Sequence, residues 1–146
     1  MGGIMAPQTV LFICIHNSAR SQMAEAYLNA MAAGRYTAQS AGIEPGSINP
    51  LVIQALLEDG IDIRKKETQS VASLIAAGKR FDYVVTVCDD AAAERCPFVP
   101  CTCTSLHWPF PDPSSFEGTQ EQRLSRTQDV RDAIKARVEA FLATGR

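Results

Sequence analysis

The sequence predicts an α/β fold, an open four-stranded parallel sheet with helices on both faces. Two observations carry that prediction. β-type and helix-type segments alternate along the 146 residues, the order that builds a parallel sheet through right-handed crossovers. The first β-type segment, Thr9 to Ile15, is β-branched and continuously apolar, as expected of a strand covered on both faces.

The elements follow in order. Ser18 to Ala33 reads as an alanine-rich helix, with Met23, Ala26, Tyr27 and Ala30 at helical spacing and Gly34 to stop it. Tyr36 to Ala41 is a short strand ended by Gly42. A turn-rich connection, Glu44 to Asn49, leads into a helix from Pro50 to Asp59 with proline in its first turn. That helix should bury Leu51, Ile53, Ala55, Leu56 and Leu57, and Gly60 ends it. Ile61 to Ser70 is polar and irregular, and Val71 to Ala77 is a short helix. Phe81 to Val87, FDYVVTV, is the second strong strand; Leu106 to Trp108 is a brief fourth, and Pro109 to Ser115 is a proline-broken loop. The final helix, Gln120 to Ala143, carries Leu124, Val130, Ile134, Val138 and Phe141 on one stripe.

Composition narrows the function classes. With 46% hydrophobic and 21% charged residues the chain is built to fold, and its length suggests one domain, residues 1–146. A net charge of -2 gives no general attraction to nucleic acid or anionic membrane, so any anion must be held by a local site. No apolar stretch approaches the roughly 20 residues of a membrane span, and the start, MGGIMAPQ, does not read as a signal peptide. A cytoplasmic protein is expected. Its five cysteines are then not a structural framework. Their odd number, with four between positions 88 and 103, favours redox or metal chemistry.

Ligands of open parallel sheets bind beyond the carboxyl ends of the strands, and Cys14 and Cys88 each lie at such an end. The stretch CIHNSARS, Cys14 to Ser21, joins the first strand to the first helix. A turn of that kind points backbone N–H groups inward as an anion nest, and the helix adds its positive end. Arg20 can grip two oxygens of a tetrahedral oxyanion. The same positive field favours the thiolate of Cys14, a nucleophile aimed at the central atom of the anion. Ser18 is the expected hydrogen-bond donor to the sulfur, with Asn17 and Ser21 bracing the loop. His16 adds positive charge there or faces solvent. A strand-end cysteine is more often a small buried hydrophobe, and C-x-x-x-x-x-R is weak evidence alone. Its place at a strand-to-helix junction gives it weight.

CIHNSARSQMAEA resembles the active-site loop of the low-molecular-weight tyrosine phosphatase superfamily, above all its arsenate reductase branch. SAGIEPGSINPLVIQALLEDGIDI, FDYVVTVCDDAAAERCP and HWPFPDP extend the likeness along nearly the whole chain. The resemblance implies arsenate as substrate, with phosphate or sulfate as competing anions, held by Cys14, Ile15, His16, Asn17, Ser18, Ala19, Arg20 and Ser21. It implies Cys14 as nucleophile, Asp112 as general acid, and a relay through Cys14–Cys88 and Cys88–Cys96 disulfides. Thioredoxin would regenerate the enzyme, with glutaredoxin and other thiol systems as rival reductants, and a monomer suffices. Seven residues separate Cys88 from Cys96, one more than the family pattern, and Cys101 and Cys103 are additions that compete for the terminal role. The segment DDAAAER is expected to be helical when reduced and looped out when oxidised. Glu94 and Arg95 read as a solvated face, and His107 and Trp108 as support for the acid loop. No tightly bound cofactor is expected. Some relatives hold potassium behind the loop, and Asn17, Glu25 and Ser40 match its ligands, with Glu67, Thr68 or Ser70 as stand-ins for the rest.

Two rival readings use the same residues. A phosphatase acting on aryl phosphates would employ Cys14, Arg20 and Asp112, but that branch usually carries aromatic residues after its Asp-Pro step, where this chain has Ser114 and Ser115. A metal- or metalloid-binding protein would use Cys96, Cys101, Cys103 and His107, a zinc-compatible ligand set whose spacing lacks paired C-x-x-C knuckles.

Overall fold

The computed structural model describes residues 6–89 and 103–146. Four strands, β1 (Gln8–Cys14), β2 (Tyr36–Gly42), β3 (Tyr83–Thr86) and β4 (Thr104–His107), alternate with helices α1 (Arg20–Met31), α2 (Pro50–Glu58), α3 (Val71–Ala76) and α4 (Gln120–Thr144). The sheet order is β2-β1-β3-β4, and every pairing is parallel.

The unbroken apolarity of β1 now has its cause. Val10, Phe12 and Cys14 point into the larger core with α1, α2 and α4, while Leu11 and Ile13 point the other way, onto Ala41, Val84 and the α3 residues Val71 and Leu74. Each such side chain contributes about 1.5–3 kcal/mol by leaving water. Aromatic contacts then tie α4 to the sheet. Phe12 meets Trp108 at 5.6 Å between ring centroids, and Trp108 meets Phe141 at 5.7 Å. Tyr27 on α1 donates its hydroxyl to Asp59 Oδ2, 2.5 Å away, at the end of α2. That hydrogen bond holds the Asp59 carboxyl below its usual range, while burial pushes the Tyr27 phenol well above its own.

Several boundaries and faces differ from the sequence reading. Ser18 and Ala19 stay outside α1, because the Ser18 carbonyl accepts from Asn49 N–H rather than from a helical turn. The first nine residues of α1 are buried on every side, polar Gln22 and Glu25 included, whereas Ala30 is exposed. On α2, Val52 takes the buried position expected of Ile53, and Leu57 is 41% exposed. Thr127 replaces Leu124 on the buried stripe of α4, its hydroxyl paying no penalty because it donates to Arg123 O. β4 begins earlier than Leu106: it is an edge strand with one apolar residue, and its identity comes from pairing with β3 rather than from composition.

Candidate active site

The loop from Cys14 to Arg20 is shaped by where its carbonyls go. Ile15 O accepts from Glu44 N–H at 2.9 Å, His16 O from Gly46 N–H at 3.0 Å, and Ser18 O from Asn49 N–H at 2.9 Å. Asn17 O accepts from the Gln22 side-chain amide at 3.2 Å. In a planar trans peptide the N–H points opposite to the C=O. Four carbonyls drawn outward therefore turn the next four N–H groups, of residues 16 to 19, toward the inside of the loop. The Asn17 N–H demonstrates this by donating to Cys14 Sγ at 3.2 Å. Inward N–H groups followed by the start of α1 make an anion cradle with the sulfur at its base. Ile15 and Ala19 serve it through their backbones. Asn17 sits at φ 55°, a left-handed conformation that asparagine tolerates better than most residues.

Ser21, not Ser18, serves the sulfur. Its Oγ lies 2.9 Å from Cys14 Sγ and accepts from Asn17 Nδ2 at 2.8 Å. A Cys14 thiolate carries no proton, so toward that form of the sulfur Ser21 is the donor. Ser21 is wholly buried in the first turn of α1, whereas Ser18 lies at the rim, 3.5 Å from Ser114 Oγ. His16 is exposed and its Nδ1 is tied to Glu44 O at 2.9 Å, which holds the ring away from the cradle.

Arg20 is 2% exposed and spans the gap to the acid loop. Its Nη1 donates to Phe110 O at 3.2 Å, and its Nη2 lies 3.7 Å from Asp112 Oδ2. Asp112 has two roles at once: Oδ1 caps the 3-10 turn 113–115 by accepting from Ser114 N–H at 3.0 Å, while Oδ2 faces the arginine. Ser114 in turn accepts from Asn49 Nδ2 at 3.2 Å, so the residue after the Asp-Pro step is bonded to the wall of the site.

Cys14 and Cys88 are both buried, and neither is in a disulfide. Ile13 is the register partner of Thr86, and Val87 N–H donates to Ile13 O at 3.0 Å. Cys88 thus follows directly on the residue level with Cys14, on an adjacent strand path. Cys96, Cys101, Glu94 and Arg95 lie outside the described residues. Cys103 is disulfide-bonded. Cys103 directly precedes β4 and His107 ends it, about 13 Å away along extended backbone, too far to share one zinc ion at bond lengths of ~2.0–2.3 Å. His107 Nδ1 instead meets Thr86 Oγ1 at 2.7 Å. Among the described residues no cluster of histidine, cysteine and carboxylate side chains is arranged to hold a metal.

One residue that the sequence marks only as a strand end proves to be packed against the backbone of the loop. A Cβ on Gly42 would lie 2.8 Å from Asn17 N and 2.8 Å from Ile15 O, both backbone atoms. Gly42→Ala should therefore push the loop out of shape and lower turnover by about 10²-fold, the scale of an ångström-sized misplacement. Kinetics on the purified variant check this; near-normal turnover would mean that the loop yields freely.

The sequence profile of the low molecular weight phosphotyrosine protein phosphatase family matches residues 9–145. The arsenate reductase of Bacillus licheniformis is 38% identical over 141 residues, covering 97% of this chain and 99% of its own length. The solved structure of an arsenate reductase in its reduced state superposes with a TM-score of 0.75 at 28% identity, covering 95% of this chain and 99% of that one. A thioredoxin-dependent arsenate reductase of Corynebacterium glutamicum does so at 0.59 and 28% identity, covering 94% of this chain and 65% of that one.

Proposed function

The chain belongs to the low molecular weight phosphotyrosine protein phosphatase family, and within it we propose an arsenate reductase that draws its electrons from thioredoxin. The observation that carries this reading is the second buried thiol. Hydrolysis of a phosphate ester needs Cys14, Arg20 and Asp112 but has no use for Cys88. Reduction needs a sulfur able to take over the bond from Cys14, and Cys88 stands on the neighbouring strand path at the same end of the sheet.

The chemistry follows from the geometry. Arsenate sits among the inward N–H groups, its oxygens gripped by the Arg20 fork. The Cys14 thiolate attacks arsenic and forms an S–As bond, and an arsenate oxygen leaves as water, taking a proton from Asp112. The Cys88 thiolate attacks Cys14 sulfur. An S–S bond forms, the S–As bond breaks, and its electron pair stays on arsenic, which departs as arsenite. Two thiols have been oxidised and As(V) reduced to As(III). Cys96, assigned by its Pro97 neighbour, then attacks Cys88 and returns Cys14 as a thiolate. The Cys88–Cys96 disulfide is the substrate of thioredoxin. One chain supplies every residue named, so a monomer is sufficient. No described helix is long and apolar enough to cross a membrane.

The test runs two assays on one preparation. With arsenate, thioredoxin, thioredoxin reductase and NADPH, sustained NADPH oxidation is expected; glutathione with glutaredoxin in place of thioredoxin should support much less. With an aryl phosphate, slow hydrolysis is expected. Efficient aryl-phosphate turnover with no arsenate-dependent NADPH oxidation would hand the site to the phosphatase reading.

A further inference from the structure

Behind the loop, the residues matched to a potassium site do come together, but their oxygens are already taken. Asn17 Oδ1 accepts from Gln69 N–H at 3.0 Å and from Gln22 Nε2 at 3.1 Å. Ser40 Oγ donates to Glu25 Oε1 at 2.8 Å. Glu25 Oε2 is paired with the Lys66 ammonium at 2.5 Å. Nitrogen donors thus meet Asn17 Oδ1 and Glu25 Oε2, and the Ser40 hydroxyl turns its proton on Glu25 Oε1; with an ammonium already at the carboxylate that a hard cation would need as ligand, the residues present do not fit a bound ion.

We propose that Lys66 is the resident cation of this site: its ammonium neutralises the buried Glu25 carboxylate in place of a metal ion and holds the active-site loop without one. The Glu25 side chain is only 9% exposed, so its charge requires compensation, while the Lys66 side chain, 39% exposed, reaches in from the surface. The pair also fixes a segment that builds the loop. Immediately after Lys66, Glu67 O accepts from Gln22 Nε2 at 3.4 Å and Thr68 Oγ1 donates to Gly46 O at 2.6 Å. Gln69 then donates to Asn17 and accepts from Gly42 N–H at 2.9 Å. Through Asn17 this line of bonds ends on Cys14 sulfur. Lys66 is therefore a positioning residue, and its role does not depend on which oxyanion the loop takes.

The experiment compares thermal melting and arsenate turnover in potassium, sodium and choline chloride at equal ionic strength. The unaltered protein should melt within about 1 °C and turn over within about twofold in all three salts. Lys66→Met should melt about 3–6 °C lower in choline chloride, since it leaves a buried carboxylate unpaired, and its turnover should fall with it. Lys66→Arg should keep the stability of the parent. The double variant Glu25→Gln, Lys66→Met should recover most of the loss, because the charge needing compensation is gone. A saturable rise in melting temperature of the unaltered protein with potassium over choline would show that an ion occupies the site and overturn the proposal. So would Lys66→Met melting with the parent. If Lys66→Met does not fold, the salt series on the unaltered protein and the arginine variant still decide.

Discussion

Replacing Arg20 by lysine should cost about 10²–10³-fold in kcat/KM for arsenate, roughly 3–4 kcal/mol of transition-state stabilisation. Charge is conserved in that substitution; geometry is not. The guanidinium is a planar fork of five N–H donors, enough to hold oxygens of the anion and still reach the acid loop, and an ammonium offers one compact point. Arg20 is buried, with one nitrogen on Phe110 O and another facing Asp112, so it also ties the cradle to the proposed general acid. A lysine of shorter reach at α1's first position cannot maintain both connections. Aryl-phosphate hydrolysis should fall in parallel, because the fork serves the oxyanion and not the redox steps. Arsenate turnover within a few-fold of the parent would remove Arg20 from the transition state.

The fold and the first half of the site were legible for one reason: β1 and the loop after it are local. Continuous apolarity from Val10 to Ile13 marks a central strand, and the thiol, the small polar residues and the arginine that follow are contiguous in sequence. What remained hidden depends on distant contacts. Ser21 reads as a brace, and only the turn of α1 beneath Cys14 makes its hydroxyl the hydrogen-bond partner of the sulfur. Gly42 looked like a strand terminator, yet the backbone of the loop passes where its side chain would be. Lys66 sat in a polar, irregular stretch with nothing to distinguish its charge from a solvated one, and its partner Glu25 is 41 positions away in the chain. On α1 helical periodicity finds the helix and the buried Met23, Ala26 and Tyr27, but not the buried polar residues between them, because a helix enclosed on all sides up to Leu28 has no exposed stripe. The polar edge strand β4 is specified by its partner, a contact that no window of sequence contains.

Cys88→Ser should separate the two chemistries of this site. Arsenate reduction is expected to fall by more than about 10³-fold, as for loss of an essential nucleophile, since no sulfur remains to take the bond from Cys14 and leave the electron pair on arsenic. Aryl-phosphate hydrolysis should stay within a few-fold, because a phosphoryl group on Cys14 is released by water and never calls on the second thiol. Cys88 is 1% exposed, so a serine there buries a hydroxyl and costs about 1–3 kcal/mol unless it finds an acceptor. Retained hydrolysis is therefore also the control that the loop is still formed. Cys14→Ser should lose both activities, which excludes a background hydrolase as the source of the signal. Mass spectrometry after one turnover completes the argument: the parent loses two hydrogens to a new disulfide involving Cys88, whereas the serine variant forms no new disulfide at Cys14 and releases no arsenite. Sustained arsenate reduction by Cys88→Ser would mean that another thiol reaches Cys14 directly, and Cys88 would lose its role in the reaction.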